Sequence, residues 1–237
     1  MCIRDSNTLG AILGSLLAGF VLVPMIGLHL TIRLVAAIGA ITAIAILVRS
    51  PRTRSRMAGF ALAGVVVIAI AIVPQWDPAL LSSGAYKYAS QLRGSNLESA
   101  LTAGELLSYR EGSTGTVAVR RLTGTISLAI DGKVDASNAG DMLTQRMLAH
   151  VPLLLHPDPK RVAIIGLGSG VTLGSALRHP ISDATVLEIS PEVVAASRFF
   201  ETENHRALSD PRTRLVIGDG RTHLMLGTQT YLSLIHI

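Results

Sequence analysis

Apolar residues dominate the first third of the chain and fall in three runs. From Thr8 to Val48 the only charged residue is Arg33, a stretch long enough for two helices of about 20 residues, the length that spans a hydrocarbon core. The pattern predicts membrane spans over 8–28 and 30–48. The turn between them is Leu28-His29-Leu30, with Pro24 and Gly27 loosening the end of the first helix and Arg33 close enough to the membrane surface to snorkel as an interfacial anchor. A third run, 57–73, follows the basic loop Arg49–Arg56, carries no charge and is predicted helical. Gly10, Gly14 and Ala18 stand at small-xxx-small spacing, which lets another helix approach closely. The runs hold no paired ionisable groups and so offer no ion pathway. No cleavage-type site ends the first run, which argues against a signal peptide.

Beyond Trp76 the pattern changes. A polar connector, 75–105, leads into alternating stretches at Gly115–Arg121 and Ile126–Ile130, closed by the turn pair Asp131-Gly132. Residues 106–136 therefore read as a small β-hairpin subdomain. Met142, Leu143, Met147 and Leu148 recur at helical spacing and predict a helix from Asp141 to about His150, ended by the proline-bearing segment 151–160. Arg161–Ile165 predicts a strand that runs into Gly166-Leu167-Gly168-Ser169-Gly170 and then a helix over Val171–Arg178. Two more strands, Ala184–Ile189 and Arg214–Ile217, flank a helix over Pro191–Phe200 that Ser190 caps. The expected fold class is N-terminal transmembrane α-helices followed by α/β, with the small β subdomain ahead of a partial Rossmann-like parallel sheet over 137–231.

Composition localises the charge. The chain is 49% hydrophobic and 16% charged, against roughly 25% charged in an average soluble protein. Residues 1–80 hold six Arg and two Asp, leaving 15 basic and 14 acidic residues for the rest. The formal charge of +5 thus sits mostly in the apolar third and is no argument for nucleic acid. Cys2 is the only cysteine, and no Cys/His cluster has zinc-ligand spacing, so neither an internal disulfide nor a metal is expected. The four arginines of the 49–56 loop predict that it is cytoplasmic. If 57–73 then crosses, all that follows lies outside. Three arrangements stay open: a third segment that does not fully cross, a domain that works outside the cytoplasm, or a window onto a larger membrane protein. The expected location is the cell membrane, multi-pass, with membrane lipid as a partner and the side of the soluble part undecided.

The chemistry gathers at three strand ends. Glycines after a strand bring backbone N–H groups close to a ligand because they lack Cβ, although such a loop alone reads more readily as a tight structural turn. Glu188 stands at the end of the second strand, 22 positions after Gly166, where an acid in this topology can accept both hydroxyls of a ribose. Asp219, in Gly218-Asp219-Gly220 after the third strand, could accept from an adenine amino group. Three such ends in one βαβαβ run favour a nucleoside pocket over three unrelated turns. A dinucleotide fingerprint would place its third glycine at 171, where the chain has Val171, so NAD(P) is disfavoured and an S-adenosylmethionine-type ligand suits the loop. Ser169 is no hydrolase nucleophile, since Leu167 stands where G-x-S-x-G requires glycine. His150, His156, His179, His205 and His223 are scattered and read as surface or capping residues.

Asp131-Gly132-Lys133-Val134, then Gly140 through Pro152, then His156 through Val162 and the glycine loop, resemble the spermidine synthase (polyamine aminopropyltransferase) family over roughly Tyr109 to Tyr231. With the preceding helices, the whole looks like membrane-anchored spermidine synthase-like proteins. The resemblance implies that Gly166, Gly168 and Gly170 line the nucleoside pocket, Glu188 holds the ribose, Asp219 and Gly220 sit at the adenine, and Gln145 approaches the methionine-derived tail. It implies aminopropyl transfer from decarboxylated S-adenosylmethionine to an amine, with a carboxylate keeping that amine deprotonated. Two departures stand out. Ser137-Asn138-Ala139-Gly140-Asp141-Met142, with Thr144, replaces a family stretch rich in carboxylates and followed by Tyr, and Ser169 replaces the aspartate of the glycine loop. The strand expected from Tyr231 toward the family's catalytic aspartate is missing, so the catalytic residues are unassigned. Residues 1–6 and 232–237 read as translated adapter sequence, and the chain is expected to be an inactive piece with at most about four parallel strands. Two other readings remain beside aminopropyl transfer: a methyltransferase using intact S-adenosylmethionine, and a non-catalytic nucleoside-sensing domain on a transporter-like membrane part. Self-association is compatible with all three.

Overall fold

Two different solutions to burying apolar surface divide the chain, one over Met1–Asp77 and the other over Pro78–Ile237. The computed structural model describes residues 3–49, 53–92, 96–227, 231 and 233–236.

The first unit is helical, with α1 (Ile3–Leu17), a π-turn at Ala18–Leu22, α2 (Val23–Arg49) and α3 (Thr53–Ile72). The break expected at Leu28–Leu30 lies instead at Gly27, whose φ of 82° and ψ of 162° interrupt α2. Residues 28–30 are helical. Only glycine adopts such angles without strain, and Thr31 Oγ1 donates to the Gly27 carbonyl at 2.8 Å. Helix α3 begins four residues earlier than the apolar run and absorbs part of the expected basic loop; positions 50–52 lie outside the described residues. Arg33, expected at a membrane surface, ties the two long helices together. Its Nε donates to the Ile70 carbonyl at 3.0 Å, and its terminal nitrogen donates to the same oxygen. Ile70 is in the last turn of α3, where carbonyls lack intrahelical partners. Nothing lies within 4 Å of a Cβ built at Gly10 or Gly14, so the small-residue face meets no close neighbour among the described residues. Large apolar side chains stay uncovered, among them Phe20 (67%), Met25 (76%) and Ile72 (73%). Asp5–Arg49 is long and apolar enough to cross a membrane by length and composition, with a mean hydropathy of 2.3 over its most apolar window.

In the second unit the expected connector holds three short helices, α4 (Pro78–Leu81), α5 (Ala85–Tyr88) and α6 (Leu97–Leu101). Arg120 holds the first and the last of them: its guanidinium donates to the carbonyls of Ala79 (2.7 Å) in α4, of Leu101 (3.0 Å) in α6 and of Ala103 (3.0 Å) just beyond it. The β subdomain is larger than a hairpin. It is a four-stranded antiparallel meander of β1 (Glu105–Gly112), β2 (Gly115–Leu122), β3 (Thr125–Ile130) and β4 (Lys133–Ser137) in sequential order. Both Asp131 (φ 49°) and Gly132 (φ 79°) have positive φ, the requirement of the two-residue turn that their identity predicts.

Helix α7 (Met142–Leu155) continues through Pro152, where the sequence pattern ended it. Ala149 and Leu153 are buried on one face, and this packing outweighs the backbone hydrogen bond that proline removes. The remaining order is β5 (Arg161–Ile165), α8 (Val171–Ala176), β6 (Asp183–Glu188), α9 (Pro191–Ala196), α10 (Glu201–Asn204), β7 (Thr213–Ile217), α11 (Gly220–Leu226) and β8 (Ser233–His236). Among the described residues these strands form one parallel sheet in the order β7-β6-β5-β8. The backbone of Ser233–His236, expected to be foreign sequence, pairs beside β5 where the missing strand was sought. The two sheets share one core: Val119, Leu128 and Ala136 from the meander join Val162, Ile164 and Val186 from the parallel strands and Phe200 behind them.

Helix α8 meets α10 so closely that a Cβ at Gly174 would stand 2.4 Å from the Asn204 carbonyl oxygen, whereas one at Gly140 would meet nothing. Gly174→Val is therefore expected to destabilise the second unit by about 2 kcal/mol or more through overpacking. Gly140→Ala is expected to leave it unchanged, with thermal unfolding of the detergent-solubilised chain as the measurement.

Candidate functional site

A parallel sheet places its loops at the carboxyl ends of its strands, and in this fold those loops bind ligands. Here the ends of β5, β6 and β7 open onto one cleft of ≈ 880 Å3. Gly166 and Gly168 line it after β5, Glu188 after β6, and Asp219 and Gly220 after β7. These are five of the positions proposed from sequence, brought to one surface. Ile165 and Leu187 from the parallel strands, Val193 from α9, and Leu128 and Ile130 from the meander supply its apolar wall.

The glycine loop needs its glycines. Gly166, Gly168 and Gly170 have φ of 90°, 55° and 81°, a region where a side chain is strained. Gly166 N–H donates to the Leu187 carbonyl at 2.8 Å and extends the ladder one step past β5. The next free N–H, on Leu167, donates to Glu188 Oε2 at 2.8 Å, while Glu188 Oε1 accepts from Ser190 N–H at 2.9 Å. Each carboxylate oxygen has two lone pairs, so Glu188 can hold both loops and still accept from a ligand. It is buried to 6% relative exposure. Asp219 caps α11: its Oδ1 accepts from Arg221 N–H (2.7 Å) and Thr222 N–H (3.2 Å). Both bonds fall on one oxygen, and the other keeps its acceptor capacity. Gly220 lets α11 start against the sheet, since a Cβ there would lie 2.9 Å from Ile165 Cγ2.

Gln145 and Gly170 sit behind the cleft and are not part of its lining. The Gln145 amide is buried, and both of its donors are engaged. Its Nε2 donates to the Ser137 carbonyl (2.8 Å) and Asp141 Oδ2 (2.7 Å), and its Oε1 accepts from Ser169 Oγ. It ties the end of β4 and the start of α7 to the glycine loop. Gly170 leaves room for Asn204, whose Nδ2 would be 3.0 Å from a Cβ at that position. Asn204 in turn donates to the Ser169 carbonyl at 2.8 Å. Its role had no sequence signal, because its partners lie 35 and 7 residues upstream. Lys133 and Asp135 on β4, and Arg221, Leu224 and Met225 on α11, also line the cleft and were missed. For α11 the signal was present in the capping Asp219 followed by Arg221 and Met225 at helical spacing.

Away from the cleft, burial first, and then the hydrogen bond and charge of Glu111, push the Tyr109 phenol above its ordinary value. His150 Nδ1, on α7, and His179 Nε2, in the turn after α8, lie 2.8 Å apart. Burial, then the His150 charge, lower the His179 pKa below its ordinary 6.5. His179 therefore takes up its proton at lower pH in the folded chain than in the unfolded one. Stability is full above about pH 6.5 and falls as the pH drops through the window beneath it. His179→Gln is expected to shrink the loss of thermal midpoint between about pH 7.5 and 5.5; an unchanged loss would remove the pair from the account.

The match to a family model falls within this second unit. Residues 141–235 match the family model of the Spermine/spermidine synthase domain. A polyamine aminopropyltransferase of Desulforudis audaxviator (strain MP104C) is 38% identical over 106 residues, which cover 44% of this chain and 38% of that protein. A spermidine synthase of Dictyostelium discoideum is 37% identical over 94 residues, covering 39% and 33%. Among solved structures, spermidine synthase from Thermotoga maritima superposes with a TM-score of 0.52 at 27% identity, over 55% of this chain and 46% of that one. A spermidine synthase in complex with the transition state analogue AdoDATO matches equally well. The chain spans less than two-fifths of the length of these curated relatives.

Proposed function

From the match of residues 141–235 to the spermine/spermidine synthase domain model, we propose that the protein is an aminopropyltransferase. It would take decarboxylated S-adenosylmethionine as its nucleoside substrate and an amine as acceptor, with no metal. The observation that carries this reading is the convergence of Glu188, Asp219 and the glycine loop on one cleft. The spermidine synthase that binds a transition state analogue, and shares the fold, supports it. Adenine would lie between the apolar wall and α11, with its amino group toward Asp219. The ribose would hydrogen-bond the lone pairs of Glu188 that the loops leave open. Transfer is a displacement at the carbon beside a sulfonium, so the chain's task is to hold that carbon in line with a deprotonated amine. Glu188 and Asp219 are committed to backbone N–H groups and neither is assigned as base. The chain is expected to bind nucleoside without turning it over.

Glu188→Gln replaces one acceptor oxygen by a donor facing an N–H group. Affinity for 5′-methylthioadenosine, read by calorimetry, is expected to fall by about 2–4 kcal/mol, the worth of the charge-assisted bonds lost. Unchanged affinity would refute the ribose placement.

The helices of the first unit would hold the protein in the cell membrane. Their support is the uncovered apolar surface of α1 to α3 and the hydropathy of Asp5–Arg49, since a helix apolar on all sides needs a nonaqueous neighbour. The full chain is expected to stay with the membrane fraction after alkaline carbonate washing. Release into the wash would overturn membrane attachment and leave the nucleoside site untouched.

A further inference from the structure

Of the charged side chains lining the cleft, Lys133, Asp135 and Arg221 play no part in the reading above, and the first two are paired with each other. Lys133 and Asp135 line it from β4, and Lys133 Nζ donates to Asp135 Oδ1. The ladder explains their placement. Ala136 pairs with Leu128 and Val134 pairs with Ala129, so Asp135 is an extra residue without a partner on β3. Such a β-bulge re-aims side chains and is found beside active sites. Stability does not account for the pair. The two side chains are 53% and 31% exposed, and an ion pair that exposed contributes on the order of 0–1 kcal/mol. It opens at little cost.

Position and chemistry narrow what could open it. A Cβ at Gly168 would have Ala136 Cβ as its neighbour at 4.0 Å, which puts β4 over the glycine loop. With adenine toward Asp219 and ribose at Glu188, the strand order β7, β6, β5 carries the nucleoside's tail toward that loop and β4. The loop offers the tail no carboxylate, because Ser169 is buried and turned to Gln145. Lys133 and Asp135 together are neutral. A polycationic amine would be attracted by one and repelled by the other, whereas a group bearing both an ammonium and a carboxylate would gain two attractive contacts.

We propose that Lys133 and Asp135 form a subsite for an α-amino acid group, with Lys133 taking the carboxylate and Asp135 the ammonium. The proposal rests on the nucleoside placement above. Two ligands carry this chemistry: intact S-adenosylmethionine, whose tail ends in it, and an acceptor amine that retains a carboxylate.

The test is calorimetry on the detergent-solubilised chain. If the subsite serves the nucleoside, S-adenosylmethionine binds about tenfold more tightly than its decarboxylated form, the effect of one charge-assisted bond. Lys133→Met then abolishes the preference, and the affinity for 5′-methylthioadenosine, which lacks the amino acid end, is retained. Asp135→Asn weakens both sulfonium ligands and spares 5′-methylthioadenosine. If the subsite serves the acceptor, the two sulfonium ligands bind alike, but in the presence of 5′-methylthioadenosine L-ornithine binds more tightly than putrescine, and Lys133→Met removes that difference. Absence of both preferences in the unmodified chain overturns the subsite while 5′-methylthioadenosine still binds. Failure of 5′-methylthioadenosine to bind overturns the nucleoside placement and the subsite with it.

Discussion

The arrangement of the cleft depends on the Glu188 carboxylate. Parallel pairing of β5 with β6 brings Ile165 opposite Leu187, and Gly166 N–H adds one more rung. At that point the chain must leave the ladder, and the next N–H, on Leu167, finds a side-chain oxygen in place of a strand carbonyl. The other oxygen of the same carboxylate secures the turn into α9 through Ser190. One buried acid thus sets the position of two loops, and a ligand that reaches it meets lone pairs already aimed by the fold. Such preorganisation lowers the cost of binding a hydrogen-bonding ligand.

A second layer of polar ties holds the loop from behind. Gln145 bridges the end of β4, Asp141 and Ser169, and Thr172 Oγ1 donates to the Gln145 carbonyl at 2.8 Å. Buried amides and hydroxyls are costly unless each finds a partner, and here the partners come from the meander, from α7 and from the loop. The network therefore couples the two sheets as the shared apolar core does. Within it the Ser169 hydroxyl is turned to Gln145 Oε1, away from the cleft lining.

The first unit obeys a different constraint. Its helices carry apolar side chains on every side, and packing of α2 against α3 leaves most of that surface uncovered. The guanidinium of Arg33 reaches a helix-end carbonyl, which satisfies in one contact a charged donor and an acceptor that would otherwise lack partners.

Residues whose requirements are local were legible in the sequence. The strand, glycine loop and helix of 161–176, the cap Ser190, and the Asp131-Gly132 turn follow from alternation, from glycine's access to positive φ and from short polar side chains at helix starts. The same short-range signals located Glu188 and Asp219 at strand ends, and the sheet brought them into one cleft. What only the tertiary structure decided rests on contacts distant in sequence. Gly27 breaks α2 where a turn was expected one residue later, α7 runs through Pro152 because Ala149 and Leu153 are buried, and Gln145 faces the scaffold because Ser137, Asp141 and Ser169 surround it. The bulge at Asp135 belongs to this class as well, since pairing with β3 creates it. A periodic pattern specifies which face of an element is buried, but partner and register are chosen by the neighbour it packs against.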